Sequence, residues 1–377
     1  MAWAFLARPP RDAQRMEPAR AERLADGPWG HVEITSVVLE PPLDKLVVGD
    51  CEGDRAEWRF HGRSRAQVEA LLADAGVDEK WRAQLMSIAT CNAAGCIVVP
   101  DDDTVLGLQP EHRRALYATL APFADNVEQH WALSLPIDRR DLWLGDAALG
   151  PEVTEMIRKL MWREGDVLHF GDMRLLCRLA PRARRPRMFQ VLGRHPAENL
   201  VLDVPHDADV TALAAWWERG SGAGSLRPLL EALARLPDGG RVDVGELLPR
   251  VARARLNRFP EPDEVGRDCH WTALNFHNRR SDDRYLDGAE ITRALEHDFD
   301  PVRREQVALG DLLVITEAGK TVHSAVYIAA DVVYTKNGRS ASVPWQLMRM
   351  RDLMVLYPGD AHFLRRRGPP PPLATKR

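Results

Sequence analysis

The chain has 377 residues, 45% of them hydrophobic and 28% charged, with a formal net charge of −4 at pH 7. That composition supplies a sizeable core and excludes global disorder. The small net charge gives no bulk electrostatic reason for binding nucleic acid or a membrane surface, and the length predicts two or three domains.

No run of about 18 apolar residues occurs, so the sequence predicts no transmembrane helix. The first residues are apolar only briefly and lack a basic n-region, which is not typical of a signal peptide. We therefore expect a cytoplasmic protein, unless a specialised secretion system exports it.

The cysteines are odd in number and scattered, which predicts reduced thiols rather than a disulfide framework. They are Cys51, Cys91, Cys96, Cys177 and Cys269. The C-x4-C spacing of Cys91 and Cys96 lacks the second pair that a tetrahedral zinc site needs. We expect neither a metal nor a cofactor.

In chain order, residues 1–28 predict a loose arm, and residues 29–258 predict an α+β region of one or two domains. Alternating apolar residues predict strands at His31–Leu39, Leu46–Val48, Ala56–Phe60, Cys96–Val99, Val167–Phe170 and Leu200–Val204. Helical periodicity predicts helices at Arg65–Ala75, Asp78–Ile88, Pro110–Phe123, Pro151–Arg163, Asp209–Glu218, Leu226–Leu236 and Val244–Leu256.

Residues 29–258 carry no motif that indicates chemistry. Their basic stretch at 178–195 has almost no aromatic residues among its arginines, so we interpret it as a solvated surface rather than a nucleic-acid site. Substrate selection, regulation and binding of a protein partner all remain open for this region.

The prolines of Phe259-Pro260-Glu261-Pro262 disfavour a continuing helix, and we place the main domain boundary there. Residues 261–358 are then a C-terminal domain. Residues 359–377, basic and rich in proline, predict a disordered tail.

The chemistry is concentrated in the C-terminal domain. Cys269 follows Asp268 and opens a helical pattern with apolar Trp271, Leu274 and Phe276. Aspartate is a frequent N-cap, so we expect Asp268 to cap this helix. A helix N-terminus favours an anion and lowers a thiol pKa, which is what a cysteine nucleophile needs.

A base for this thiol is available further along the chain. Ala308–Thr316 predicts a strand, His323 opens a second strand, and Val332–Lys336 predicts a third. A helix start packed on such a sheet can bring a cysteine and a histidine within hydrogen-bond reach.

These motifs, in this order, resemble the NlpC family of papain-like cysteine peptidases. The matching segments are Asp268–Trp271, where the family has D-C-S-G, then Leu309–Leu313 and His323–Ala329. The resemblance covers about 100 of the 377 residues. At the third polar position of the family, an ungapped alignment selects Thr335, whereas the chemistry favours Asn337.

The resemblance implies a papain-like domain, a helix on an antiparallel sheet, within an α+β chain. Cys269 would attack a peptide or amide, His323 would be its base, and Asn337 or Thr335 would orient the imidazole. A cell-wall-type peptide is a substrate implied by the family alone. Two alternatives stay open: a catalytically inactive papain-like module that binds a partner, and an acyltransferase that uses the same thiol.

Overall fold

A computed structural model gives the fold of residues 21–46, 51, 55–221 and 226–368. These residues form helices and antiparallel sheets, so the α+β class predicted from the sequence is confirmed. Among the same residues, no helix is long and apolar enough to cross a membrane.

The strands are β1 Glu22–Arg23, β2 His31–Leu39, β3 Trp58–His61, β4 Thr90–Asn92, β5 Gly95–Val98, β6 Leu133–Pro136, β7 Trp162–Glu164, β8 Val167–Phe170, β9 His195–Val204, β10 Gly240–Asp243, β11 Phe299–Val302, β12 Leu312–Glu317, β13 Lys320–Ala329, β14 Val332–Lys336, β15 Trp345–Arg349 and β16 Asp360–Arg366. The predicted bounds of β2, β8 and β14 are confirmed residue for residue. The predicted strand Leu46–Val48 lies outside the described residues, except for Leu46.

The helices are α1 Arg65–Asp74, α2 Glu79–Ile88, α3 Asp102–Gly107, α4 Pro110–Leu120, α5 Val127–His130, α6 Asp141–Leu144, α7 Gly150–Leu160, α8 Met173–Leu179, α9 Arg185–Leu192, α10 Val210–Ser221, α11 Arg227–Ala234, α12 Val244–Leu247, α13 Arg250–Arg253, α14 Cys269–Leu274, α15 Gly288–His297 and α16 Met350–Leu356. The single helix predicted at Val244–Leu256 is wrong. Pro249 lacks an amide hydrogen and separates α12 from α13.

The chain forms two compact units, and the sequence of one is inserted into that of the other. Unit 1 comprises residues 1–45 and 194–377, and unit 2 comprises residues 46–193. The boundary predicted between 258 and 261 is therefore wrong. Helix α13 ends at Arg253, before the prolines, and the chain stays in the same unit, where Trp345 exchanges backbone hydrogen bonds with Asn257 (2.7 Å) and Arg258 (3.1 Å).

The predicted loose ends are also corrected where the structure describes them. Within the arm 1–28, β1 pairs with β2 through Glu22 and Arg23. Within the tail 359–377, β16 pairs with β11 on one side and with β12 on the other, and its Phe363 is buried. Residues 1–20 and 369–377 lie outside the described residues.

Unit 2 contains two three-stranded sheets, ordered β3-β5-β4 and β6-β8-β7, together with helices α1 to α9. Its core includes the aromatic series Trp58, Tyr117 and Trp162, whose successive rings meet edge to face at 6.1 and 5.2 Å. Beside Tyr117, the buried Arg113 donates from Nε to Asp172 Oδ2 at 2.9 Å.

Two disulfides occur in unit 2, which corrects the expectation of reduced thiols. Cys91 and Cys96 lie opposite each other on β4 and β5, with Cα atoms 4.1 Å apart, and Cys51 joins Cys177 across 5.5 Å. The hairpin register brings the first pair together, and no sequence spacing indicates the second.

Unit 1 contains a four-stranded sheet, β1-β2-β9-β10, and a six-stranded sheet, β11-β16-β12-β13-β14-β15. The two share one hydrophobic core, in which Trp216 of α10 meets Tyr327 of β13 at 6.4 Å between ring centroids. Helix α14 packs on β13 and β14 of the larger sheet.

Candidate active site

The start of α14 is fixed by the carboxylate of Asp268. One oxygen, Oδ1, accepts a hydrogen bond from the Trp271 amide at 3.0 Å, so the predicted N-cap is confirmed. The other oxygen, Oδ2, accepts from Arg339 Nη2 at 3.0 Å. The cap therefore ties the helix start to the segment that follows β14.

Cys269, the first residue of α14, is the free thiol among the five cysteines, and it is only 8% exposed. Burial raises its pKa to about 12, and the charge of Asp268 adds to the rise. Hydrogen bonds from the backbone amides of Ser324, His270 and Cys269 itself stabilise the thiolate, and they therefore oppose this rise in pKa. The expectation that the helix start lowers this pKa is wrong for this arrangement, because desolvation outweighs the helix dipole.

The residues predicted around the base lie together. His323 Nε2 and Thr335 Oγ1 are 2.9 Å apart, and Thr335 Oγ1 donates to Asn337 Oδ1 at 3.4 Å. Asn337 Nδ2 in turn donates to Met348 Sδ at 3.4 Å. Thr335 and Asn337, which the sequence offered as rivals for one position, are consecutive members of one chain of hydrogen bonds.

This chain assigns the tautomer of His323. Because the Thr335 hydroxyl gives its proton to Asn337, its oxygen accepts from His323, so Nε2 carries the imidazole hydrogen. Nδ1 is left with a lone pair. His323 can therefore accept a proton at Nδ1 without rearranging the bonds on its other side.

The imidazole of His323 is held in an apolar setting. It is 1% exposed, and its ring stacks on that of Tyr357, just beyond α16, with centroids 4.0 Å apart. Burial lowers the pKa of His323 to about 3, and the nearby His270 contributes to the fall. The ring is neutral at physiological pH, as a general base must be before it reacts.

The structure does not join the predicted pair directly: no hydrogen bond links Cys269 to His323 among the described residues. Side chains alternate along a strand, so His323 and Ser324 leave β13 on opposite sides. Ser324 Oγ meets His270 Nδ1 of α14 at 2.9 Å, whereas His323 meets Thr335. His323 nevertheless lies near α14, because His270 contributes to the lowered pKa of its imidazole and Cys269 raises the pKa of Tyr357, on which that imidazole stacks.

Cys269 on α14 and His323 on β13 are connected through the backbone of β13. The ladder between β13 and β14 begins at Val326 and Tyr334, which leaves the start of β13 outside it. There the Ser324 amide is directed at the sulfur of Cys269 and favours its anion. His323 is the residue immediately before this amide, so thiol and imidazole adjoin the same peptide unit.

Two residues of the site had no signal in the sequence. Lys336 is wholly buried, and burial lowers its pKa to about 7. The negative charges of Asp268 and of the Cys269 thiolate oppose this fall in pKa. Its Nζ donates to Ser340 O at 3.3 Å. Tyr357 lies far from either motif. Strand β14 is buried at all five positions, so alternation does not indicate an inward Lys336, and nothing in the local sequence indicates the stacking of Tyr357.

The Gly310-Asp311 motif serves the fold. Gly310 has φ +89°, and a side chain there would collide with the imidazole of His277. The buried Asp311 accepts from the Ala308 amide at 2.8 Å and from Arg365 at 2.6 Å, which fixes the turn into β12. In the described part of the chain, no cluster of three or more His, Cys, Asp or Glu side chains is suited to a metal ion.

Comparison of the chain with protein-family models, with curated proteins and with solved structures gave no match in any of the three.

Proposed function

We propose that the protein is a cysteine-dependent acyl hydrolase, a peptidase or amidase with Cys269 as nucleophile and His323 as base. The observation that carries the proposal is the chain of hydrogen bonds from His323 through Thr335 to Asn337, which begins on the residue next to the Ser324 amide that faces the sulfur. A purely structural histidine needs no such chain of oriented partners.

In the proposed reaction, Nδ1 of His323 takes the proton of the Cys269 thiol, and the sulfur attacks the substrate carbonyl carbon. The amides at the start of α14 hold the resulting oxyanion. The imidazolium returns its proton to the leaving amine or alcohol, which leaves a thioester. Water then attacks the thioester, His323 accepts its proton, and the acid departs as the thiol reforms.

A substrate requires the site to open, because Cys269 and His323 are both buried. Arg339, which is 60% exposed, pairs at 3.0 Å with the buried Asp268 next to the thiol. Opening would separate this pair, while Asp268 keeps its hydrogen bond from the Trp271 amide. Peptides and amides are the proposed substrate class, and a cell-wall-type peptide is suggested by the family resemblance alone.

The test uses p-nitrophenyl acetate, with acylation read by intact mass and by the burst of p-nitrophenolate. We expect one acetyl group per chain, on Cys269, and none in Cys269→Ser. His323→Gln should acylate roughly 100-fold more slowly or worse, because the base is lost. Thr335→Val should be slowed and Thr335→Ser should not, because serine keeps the acceptor for Nε2.

Because the other four cysteines form disulfides, Cys269 is the free thiol that can be acylated in this experiment. Far-ultraviolet circular dichroism of each variant controls for folding. A native chain that stays unacylated at Cys269, or that acylates equally fast in His323→Gln, contradicts the hydrolase proposal. A supplied amine that outcompetes water for the thioester would instead identify an acyltransferase.

One observation favours a second candidate, a catalytically inactive module that binds a partner. Burial raises the pKa of Cys269 to about 12, and its thiol makes no hydrogen bond to His323. If iodoacetamide labels Cys269 no faster than a free thiol, and if His323→Gln leaves that rate unchanged, this candidate replaces the hydrolase.

A further inference from the structure

A cavity of about 510 Å³ lies in unit 1, away from the residues of the proposed reaction. Its walls come from β11, β16 and the first turns of α16. Much of the lining is apolar: Val302, Met350, Met354 and Phe363. This volume is in the range of small-ligand sites, and unbranched methionine side chains adapt to a ligand's shape.

The charge at the rim of this cavity is positive. Arg304 lines it and makes no hydrogen bond or ion pair with its side chain among the described residues. Arg351 lines it too; it is exposed and pairs only loosely, at 3.6 Å, with its partly buried neighbour Asp352. The one acidic residue of the lining, Asp331, pairs with Arg349 at 2.7 Å, and Arg349 also pairs with the exposed Glu22 at 2.8 Å. Two guanidinium groups thus remain to attract an anion.

The cavity floor belongs to a defined face of the six-stranded sheet. Ala361 of β16 pairs with Ile315, and Ile315 pairs with His323, so the three share one side of the sheet. Two strand spacings, about 10 Å, separate Ala361 from His323. The chain that leaves α16 also stacks Tyr357 on His323.

We propose that this cavity is a binding site for an amphipathic carboxylate, a small molecule with an apolar body and a single anionic head. The apolar body contacts Met350, Met354 and Phe363, and the carboxylate pairs with Arg304 and Arg351. Arginine suits this role because its planar fork matches a carboxylate. The site does not depend on whether Cys269 is a nucleophile.

Isothermal titration calorimetry of the full chain with sodium decanoate tests the proposal, with decyltrimethylammonium as a probe of the same tail and opposite charge. Decanoate should bind at one site, and the cation should bind at least tenfold more weakly. Arg304→Gln should weaken decanoate at least fivefold. Arg303→Gln, which alters an exposed neighbour bonded to Gln306, should leave it unchanged.

Met354→Trp fills the cavity and should abolish binding of decanoate, while its thermal unfolding reports whether the chain still folds. Cys269→Ser should bind decanoate like the wild type, so this test fails or succeeds independently of the hydrolase. Equal affinity for the two probes, equal losses in Arg303→Gln and Arg304→Gln, or unaltered binding in a folded Met354→Trp would each overturn the assignment.

Discussion

Two clusters of buried ionisable side chains, one around Arg113 in unit 2 and one around Cys269 in unit 1, differ in how their members are paired. In unit 2, Arg113 uses its donors on Asp172, on the carbonyls of Val105 and Leu108, and on that of Lys159. Tyr117 donates to the remaining oxygen of Asp172. In this network each charge meets an opposite charge or a dipole, which is how a buried ion pair is made tolerable.

At the candidate site of unit 1, three buried groups are instead driven towards their neutral forms. Burial raises the pKa of Cys269 to about 12, lowers that of Lys336 to about 7 and lowers that of His323 to about 3. Paired charges hold a structure in place, whereas neighbouring neutral acids and bases can exchange protons. The comparison teaches that, in the described part of the chain, the Arg113 cluster is held by paired charges, whereas the cluster at Cys269 lacks such pairing, although burial also raises the pKa of Asp172.

The largest expected effect is in unit 2. Arg113→Met leaves the Asp172 carboxylate buried without its cation and should lower the free energy of unfolding by about 3–5 kcal/mol. Urea unfolding followed by tryptophan fluorescence measures it. Adding Asp172→Leu to Arg113→Met should restore much of the loss, and a loss as large in the double variant would contradict the ion-pair explanation.

Lowering the pH should destabilise the protein through two buried histidines of unit 1. The pKa of His323 is lowered from 6.5 to about 3 in the folded chain, so the unfolded chain takes up the proton first. The resulting stability is complete above pH 6.5 and is lost towards pH 3, at up to about 1.4 kcal/mol per pH unit. Burial lowers the pKa of His195 to about 4, which adds to the slope.

Urea unfolding at pH 7, 5.5 and 4.5 should therefore show a smaller decline in His323→Gln than in the wild type. The matched control is His206→Gln, which replaces an exposed histidine of the same unit and should keep the wild-type slope. Parallel declines in all three chains would show that His323 is not buried in its neutral form.

The smallest expected change in the free energy of unfolding is an increase, whereas Arg113→Met lowers that free energy. Lys336→Met removes a buried amine and should raise the free energy of unfolding at pH 7 by about 1–3 kcal/mol. Because the pKa of Lys336 is lowered from 10.5 to about 7, wild-type stability rises between those values and the gain shrinks by pH 10. Lys320→Met, at an exposed position, is the control. An equal gain in the free energy of unfolding in that variant would contradict this explanation.

Much of the fold could be predicted because local patterns dominate it. The strands β2, β8 and β14 follow from alternation, and the cap of α14 follows from Asp268. The break at Pro249 was equally readable, since proline cannot continue a helix. Strand β16 could not be predicted, because a basic stretch before four prolines has the composition of a disordered tail.

The candidate site was predicted in its residues but not in its arrangement. Order along the chain indicates that a cysteine helix and a histidine strand pack together, yet it cannot decide which of His323 and Ser324 faces the helix, since both are polar. That choice depends on the register of β13 with β14, which is a tertiary property. Tyr357 could not be found for the same reason.

The insertion of unit 2 also bears on how unit 1 assembles. Leu39 ends β2 and pairs directly with His195 at the start of β9, so the two strands form a hairpin whose turn is about 155 residues long. Compared with a four-residue turn, the loop is longer by about five doublings, a chain-entropy cost of roughly 3 kcal/mol. If unit 2 folds first, its compact state shortens the effective loop. The inserted unit would then act as a folding aid, and its order of synthesis before β9 favours that sequence of events.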